Sequence, residues 1–166
     1  MRKLTALRQH LIDANPLLAR DPGRLLTFIE DGHAQFARGR SLSHGLAYTA
    51  QLVLTDYAGT LDAVMLPLLD WLSVYQPDLA AEQAVSFEAE ILNHDAIDLA
   101  LRVQLTERVV VDRDCATGQL TAEHRMPAFP REECPDTHWR LLTKGPGDAE
   151  PALAAEWNGP GGGDGA

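Results

Sequence analysis

Residues 48–71 read YTAQLVLTDYAGTLDAVMLPLLDW, a strand, a turn and a helix in immediate succession. From Ala47 to Thr55 the residues alternate. Tyr48, Ala50, Leu52 and Leu54 share one face, and Thr49, Gln51, Val53 and Thr55 share the other, the period-two pattern of a half-buried strand. Asp56 to Thr60 reads as the turn. Thr60 is expected to cap the next helix through its hydroxyl, with Asp62 in the first turn, where a carboxylate complements the helix dipole. Leu61, Val64, Met65, Leu68, Leu69 and Leu72 then recur at helical spacing. Pro67 predicts a kink, and Gln76-Pro77-Asp78 a stop. Trp71 falls outside this leucine stripe, as core packing or as an interface anchor.

Upstream, Leu4, Leu7, Leu11 and Ile12 mark a helix over Leu4–Ala14 that Asn15-Pro16 ends. Asp21-Pro22-Gly23 is a turn. A short strand from Leu25 to Glu30 is closed by Asp31-Gly32, and a weaker one covers His33–Arg38. Downstream, Val85, Phe87, Ala89 and Ile91 form the apolar side of one strand. Ile97, Leu99, Leu101, Val103 and Leu105 form that of a second, with Asn93-His94-Asp95 as the turn between them. The second strand extends to Asp112, and Leu120–His124 returns after the turn at Asp114–Gly118. These elements predict an α+β fold: one domain over residues 1–125, a mostly antiparallel sheet carrying the N-terminal and central helices on one face. Residues 126–166 are rich in proline, glycine and acid and read as a partly disordered arm, mobile in isolation. Within it THWRLLT, with Trp139, reads as a strand or a docking segment.

The chain has 166 residues and a net charge of −10. Residues 1–45 hold seven Lys/Arg against four Asp/Glu, and residues 46–125 hold four against thirteen. An acidic chain lacks the clustered cations needed to wrap a phosphate backbone. A basic front and an acidic middle suit head-to-tail contacts between identical subunits. No apolar run approaches the roughly 18 residues of a membrane span, so no membrane partner is expected. MRKLTALRQHLIDA reads as an amphipathic helix and not as a signal peptide. Cys115 and Cys134 make no disulfide framework. Cys115, His124, Cys134 and His138 lack the tight cysteine pair of a structural zinc site. Asp56, Asp62 and Asp70 read as capping and solvated residues and not as a cation site. No phosphate loop, nucleophile elbow or zinc-protease motif occurs, so neither cofactor, metal nor catalytic residue is expected.

One resemblance gathers these pieces. Leu7-Arg8 with Ala14-Asn15-Pro16, then Pro22, Leu25, Phe28 and Gly32, then Ser41-Leu42-Ser43 and Tyr48-Thr49 come in order. Thr55-Asp56, Gly59, Asp62, Pro67, Leu69-Asp70-Trp71-Leu72 and Gln76-Pro77-Asp78 follow. Phe87, Ile91, Asn93 and Leu105-Thr106-Glu107-Arg108-Val109 complete the run. Together they resemble the phage tail completion protein R family of P2-like contractile-tailed phages and prophages, over Leu4 to His124. The resemblance implies a structural virion protein, assembled in the host cytoplasm, that completes the head-proximal end of a tail so that a filled head can join. By analogy with tail terminators it implies a hexameric ring. The implied partners are further copies of itself, the tail tube protein, the tail sheath protein and the head–tail connector or neck proteins. DNA would pass through the lumen without specific binding.

The candidate interaction residues are Glu107 and Arg108, as an intersubunit ion pair or a contact to the tube, Glu88 and Glu90 on the charged strand face with Asp98 and Arg102, and Trp139 in the arm. Two other classes stand beside this reading: a head-side neck connector, and a small acid/base or metal-dependent enzyme on the same domain. The enzyme requires a pocket with convergent polar groups.

Overall fold

Alternation of apolar and polar residues is strongest in two segments, and these form the centre of the sheet. The computed structural model describes residues 1–39, 41–80, 82, 84–91, 96–126, 138–145 and 149–159. Strand β1 (Leu25–Phe36) pairs with β2 (His44–Tyr57), β2 with β4 (Ile97–Asp114), and β4 with β3 (Val85–Ile91), all antiparallel. Strand β5 (Gln119–Arg125) also pairs with β4. Val109 faces His44 of β2 and His124 of β5, so β5 lies on the β3 side of β4, beyond the end of β3. Helices α1 (Arg2–Ala14) and α3 (Asp62–Tyr75) belong to the face bearing Tyr48, Ala50, Leu52, Leu54, Leu99, Leu101, Val103 and Leu105, all buried in one core with Leu7, Leu11, Leu68 and Trp71. The α+β architecture, the antiparallel sheet and the inward face of β2 are as expected.

Two aspartates change the strand boundaries. Asp31 has φ 51° and Asp56 has φ 49°, a left-handed conformation that aspartate tolerates better than most residues. Asp31 and Gly32 together stand opposite one position of β2, and Thr55 and Asp56 opposite one position of β4. Each is a bulge that adds a residue and lets pairing resume in phase. Hence Asp31-Gly32 does not close a short strand, and β1 continues to Phe36. Likewise β2 runs on past Asp56 to Tyr57, whose buried ring stands where a Cβ on Gly59 would be.

Asn15 ends α1 as expected but also starts α2 (Pro16–Arg20), which the sequence reading lacked. Its Oδ1 accepts from the N–H groups of Leu17 and Leu18, with Pro16 at the first helical position. Its Nδ2 donates to Tyr57 Oη at 2.7 Å and to the Ala63 carbonyl at 3.5 Å. That carbonyl is the one orphaned by Pro67, which has no N–H to return to it. A side chain outside the helix thus compensates for the proline within it.

The helix α3 begins without a side-chain cap, so Thr60 does not cap it as expected. Its buried stripe is Val64, Pro67, Leu68, Trp71 and Leu72, while Leu69 is exposed. The stripe is rotated from the expected one because the large Trp71 ring takes the inward position, its centroid 4.8 Å from that of Tyr75 with the two rings tilted by 43°. On β3 the parity is as expected, but only Val85 packs on the core; Phe87 and Ile91 stay exposed. The expected turn at 93–95 lies outside the described residues. In the C-terminal segment β6 (His138–Thr143) pairs with β7 (Ala152–Asn158), a strand the composition argument missed, and β7 packs on α1 and α3 with Ala155 fully buried.

Candidate functional surfaces

Glu107 occupies an inward position of β4, between Leu105 and Val109, and only 3% of it is exposed. A carboxylate there requires donors from elsewhere in the fold. The start of α1 supplies them, because the first N–H groups of a helix have no partner within it and α1 has no side-chain cap of its own. Arg2 N donates to Glu107 Oε2 at 3.1 Å, and Lys3 N to Oε1 at 3.0 Å. Tyr48 Oη donates to Oε1 at 2.6 Å, and His124 Nδ1 lies 2.9 Å from Oε2. Burial raises the Glu107 carboxyl, but the hydrogen bonds from Tyr48, His124, Arg2 and Lys3 outweigh it and hold the group below its ordinary range. Burial, with Glu107 adding to it, pushes the Tyr48 phenol far up.

The same cluster closes the other helix. Lys3 Nζ donates to the Tyr75 carbonyl at 2.6 Å, at the C-terminal end of α3, and to Gln76 Oε1 at 3.0 Å. Burial lowers the Lys3 ammonium, against the opposing charges of Asp78 and Glu107. Gln76 Oε1 also accepts from Thr106 N at 3.1 Å, and its Nε2 donates to Thr106 Oγ1 and Asp78. Thr106 sits in the stretch of β4 that neither β3 nor β5 pairs, so Gln76 fills that gap in the ladder. A depression of about 400 Å³ beside it is lined by Gln35, Gly45, Thr106 and Arg108 among others. A carboxylate, a phenol, an imidazole and an ammonium meet here, yet they are turned on one another and on helix ends. The arrangement clamps α1, α3 and β4 together.

Other candidate residues fall on different surfaces. Arg108, next to Glu107, points to the opposite face, beside Arg125, so the two do not pair. Among the described residues no helix lies on that face. Across it run the rows Leu26–Val53–Ala100–Glu88 and Phe28–Gln51–Arg102–Ser86. Arg102 reaches Glu88 at 3.2 Å and Glu30 at 3.5 Å, and Glu90 stands opposite Asp98. Glu88, Glu90, Asp98 and Arg102 are therefore gathered on one face. Trp139 is apart from them, half-buried in the second sheet opposite Trp157, whose indole N–H donates to Asp70 at 2.9 Å.

The three aspartates do not converge on a common point: Asp56 pairs with Arg24, and Asp70 receives Trp157. Cys115 is exposed in the β4–β5 turn, and Cys134 lies outside the described residues. Among the described residues no group of three potential metal ligands forms. Sequence reasoning missed Lys3, Tyr48, Gln76 and His124 as members of the clamp. The available signal was parity, a glutamate in phase with Leu105 and Val109.

The family model of P2 phage tail completion protein R (GpR) matches residues 1–128. Tail completion protein R of Escherichia phage P2 is 33% identical over 116 residues, 67% of this chain and 75% of the phage protein. No solved structure matches significantly. No helix among the described residues is long and apolar enough to cross a membrane. The match includes both bulge aspartates, Asn15, Pro67 and the whole Glu107 clamp, so the resemblance read from the sequence holds over the entire five-stranded unit. The chain belongs to the P2 phage tail completion protein R family.

Proposed function

We propose that this phage tail protein caps the head-proximal end of the tail as a hexameric ring on the tube and sheath, and presents the surface that a filled head joins through its neck proteins. The observation that carries the reading is the face of the five-stranded sheet opposite the helices, which no helix covers among the described residues and whose charged side chains are mostly acidic, beside the exposed Leu26 and Phe28. It holds Glu30, Glu88, Glu90, Asp98, Asp112 and Glu123 against Arg102, Arg108 and Arg125. A bare acidic face suits a lumen through which DNA slides, because like charges discourage sticking. The cations of α1 are engaged within the subunit. Lys3 is buried, Arg8 donates to the Pro22 and Leu25 carbonyls, and Arg2 to the His124 carbonyl. The paired edges of the sheet differ, β1 on one side and β3 with β5 on the other, as a head-to-tail ring requires.

The test is deletion of the gene from the phage or prophage that encodes the chain, with electron microscopy of the particles. The expected result is unjoined heads and tails with an unfinished head-proximal end, restored by adding purified protein. Normal particles without the protein would end the proposal.

A further inference from the structure

We infer that the ring closes by strand addition: the β3 edge of one subunit pairs antiparallel with the His33–Phe36 half of β1 of the next. This rests on the ring reading above and adds the contact that makes it. Three observations support the pairing.

The first is strand parity. The path β1-β2-β4-β3 has an even number of strands, each antiparallel to its neighbour. A rotation that carries the sheet onto itself along this row brings β1 of the next copy beside β3 with opposite direction. The junction is then antiparallel, the more stable kind of ladder, and the alternation continues around the ring. An odd path would force a parallel junction.

The second is the exposed apolar residues. Phe87 is 51% exposed and Ile91 77%, on the helix-bearing side of β3. Phe36 is 65% exposed on the same side of β1. Both edges thus show large apolar side chains on one common face, where neither helix covers them. Edge strands that remain unpaired in solution are usually charged, bulged or covered at such points. Bringing Phe87 opposite Phe36 of the next copy buries an aromatic pair at the seam.

The third is the other face in the same register. With Phe87 opposite Phe36, Ala89 falls opposite Ala34, Glu88 opposite Gln35 and Glu90 opposite His33. No like charges meet. Pairing with the other half of β1 would instead bring the β3 glutamates toward Glu30, and the bulge at Asp31–Gly32 separates the two halves. At chain level, the basic first 45 residues carry β1 and the acidic middle carries β3.

The experiment uses the full chain and two variants, Phe36→Asp and Phe87→Asp, measured by sedimentation and mass photometry. Both side chains are exposed in the subunit, so each variant should keep the wild-type circular dichroism and melting temperature. Expected are rings for wild type, monomers for each variant alone, and one-to-one dimers when the variants are mixed, because each retains the edge the other has lost. Variants that assemble like wild type would overturn the β1–β3 junction and leave the ring standing. Variants that stay monomeric even when mixed would overturn it too, since a head-to-tail seam must be rescued by mixing. A wild-type chain that stays monomeric, alone and on tail tubes, would overturn the ring and the junction together.

Discussion

Glu107 of β4 accepts the backbone N–H of Lys3 at 3.0 Å, and the side chain of that same lysine closes the end of α3. One residue therefore ties together three elements, α1, α3 and β4, through two hydrogen bonds. It uses opposite ends of two helix dipoles, a carboxylate at an N-terminus and an ammonium at a C-terminus. Replacing Glu107 by Ala leaves two helix N–H groups and the Tyr48 hydroxyl without their acceptor. The expected loss is about 2–4 kcal/mol of stability, read as a lower midpoint in urea unfolding followed by circular dichroism.

The pH dependence follows from the depressed Glu107 carboxyl. In the unfolded chain it titrates near the usual ~4.3, and in the fold it titrates lower. Its contribution is fully present above the unfolded value and is lost as pH falls through the folded one. Wild type should therefore exceed Glu107→Gln in stability at neutral pH, with the gap closing below about pH 4. A gap that does not change between pH 7 and pH 3 would contradict a charged clamp.

Asn15 acts through both ends of its amide, and two variants separate them. Asn15→Asp keeps the cap on α2 but loses the donor to Tyr57 and to the carbonyl freed by Pro67. Asn15→Ala loses both. The expected order of stability is wild type, then Asp, then Ala, with the alanine variant down by about 2–3 kcal/mol. Equal losses would show that only the donor side matters.

On the open sheet face the expectation is the reverse. Arg102 bridges Glu30 and Glu88, yet all three side chains are well exposed. Arg102→Ala should change the stability of the subunit by less than about 1 kcal/mol. Any larger defect should be in assembly, seen as fewer joined particles from protein of normal melting temperature.

Truncation after Met126 removes the β6–β7 hairpin and with it the Trp157–Asp70 contact and the buried Ala155. The five-stranded unit should still fold, with a lower melting temperature because the α1 and α3 surfaces under β7 are uncovered. We propose that joining of heads is impaired in the same variant. A truncated chain with no cooperative melting would make the hairpin part of the folding unit.

Much of this fold is legible in the sequence where one rule acts alone. The alternation of Tyr48 to Leu54 fixes the buried face of β2, and Asn15-Pro16 fixes the end of α1. Reading fails where two signals compete. Asp31-Gly32 looks like a terminator because its left-handed preference serves a turn and a bulge equally well, and only pairing with β2 decides. The stripe on α3 is counted correctly as apolar but rotated, because spacing weighs Leu69 and Trp71 alike while burial favours the larger ring. The clamp is hidden for a different reason. Lys3, Tyr48, Gln76, Glu107 and His124 are dispersed along the chain, and the donors that matter most to Glu107 include backbone N–H groups, which no residue letter marks.

A ring at the end of the tail, with the helix-free sheet face toward the lumen, has a direct signature in an image of the tail. Cryo-electron microscopy of the head-proximal end of purified tails tests it most directly. The expected map shows a closed ring of this chain on the last layer of tube, with Glu30, Glu88 and Arg102 facing the channel and β3 of each subunit beside β1 of the next. A tail end without this chain, or a ring whose channel is lined by α1 with Arg2, Lys3 and Arg8, would contradict it.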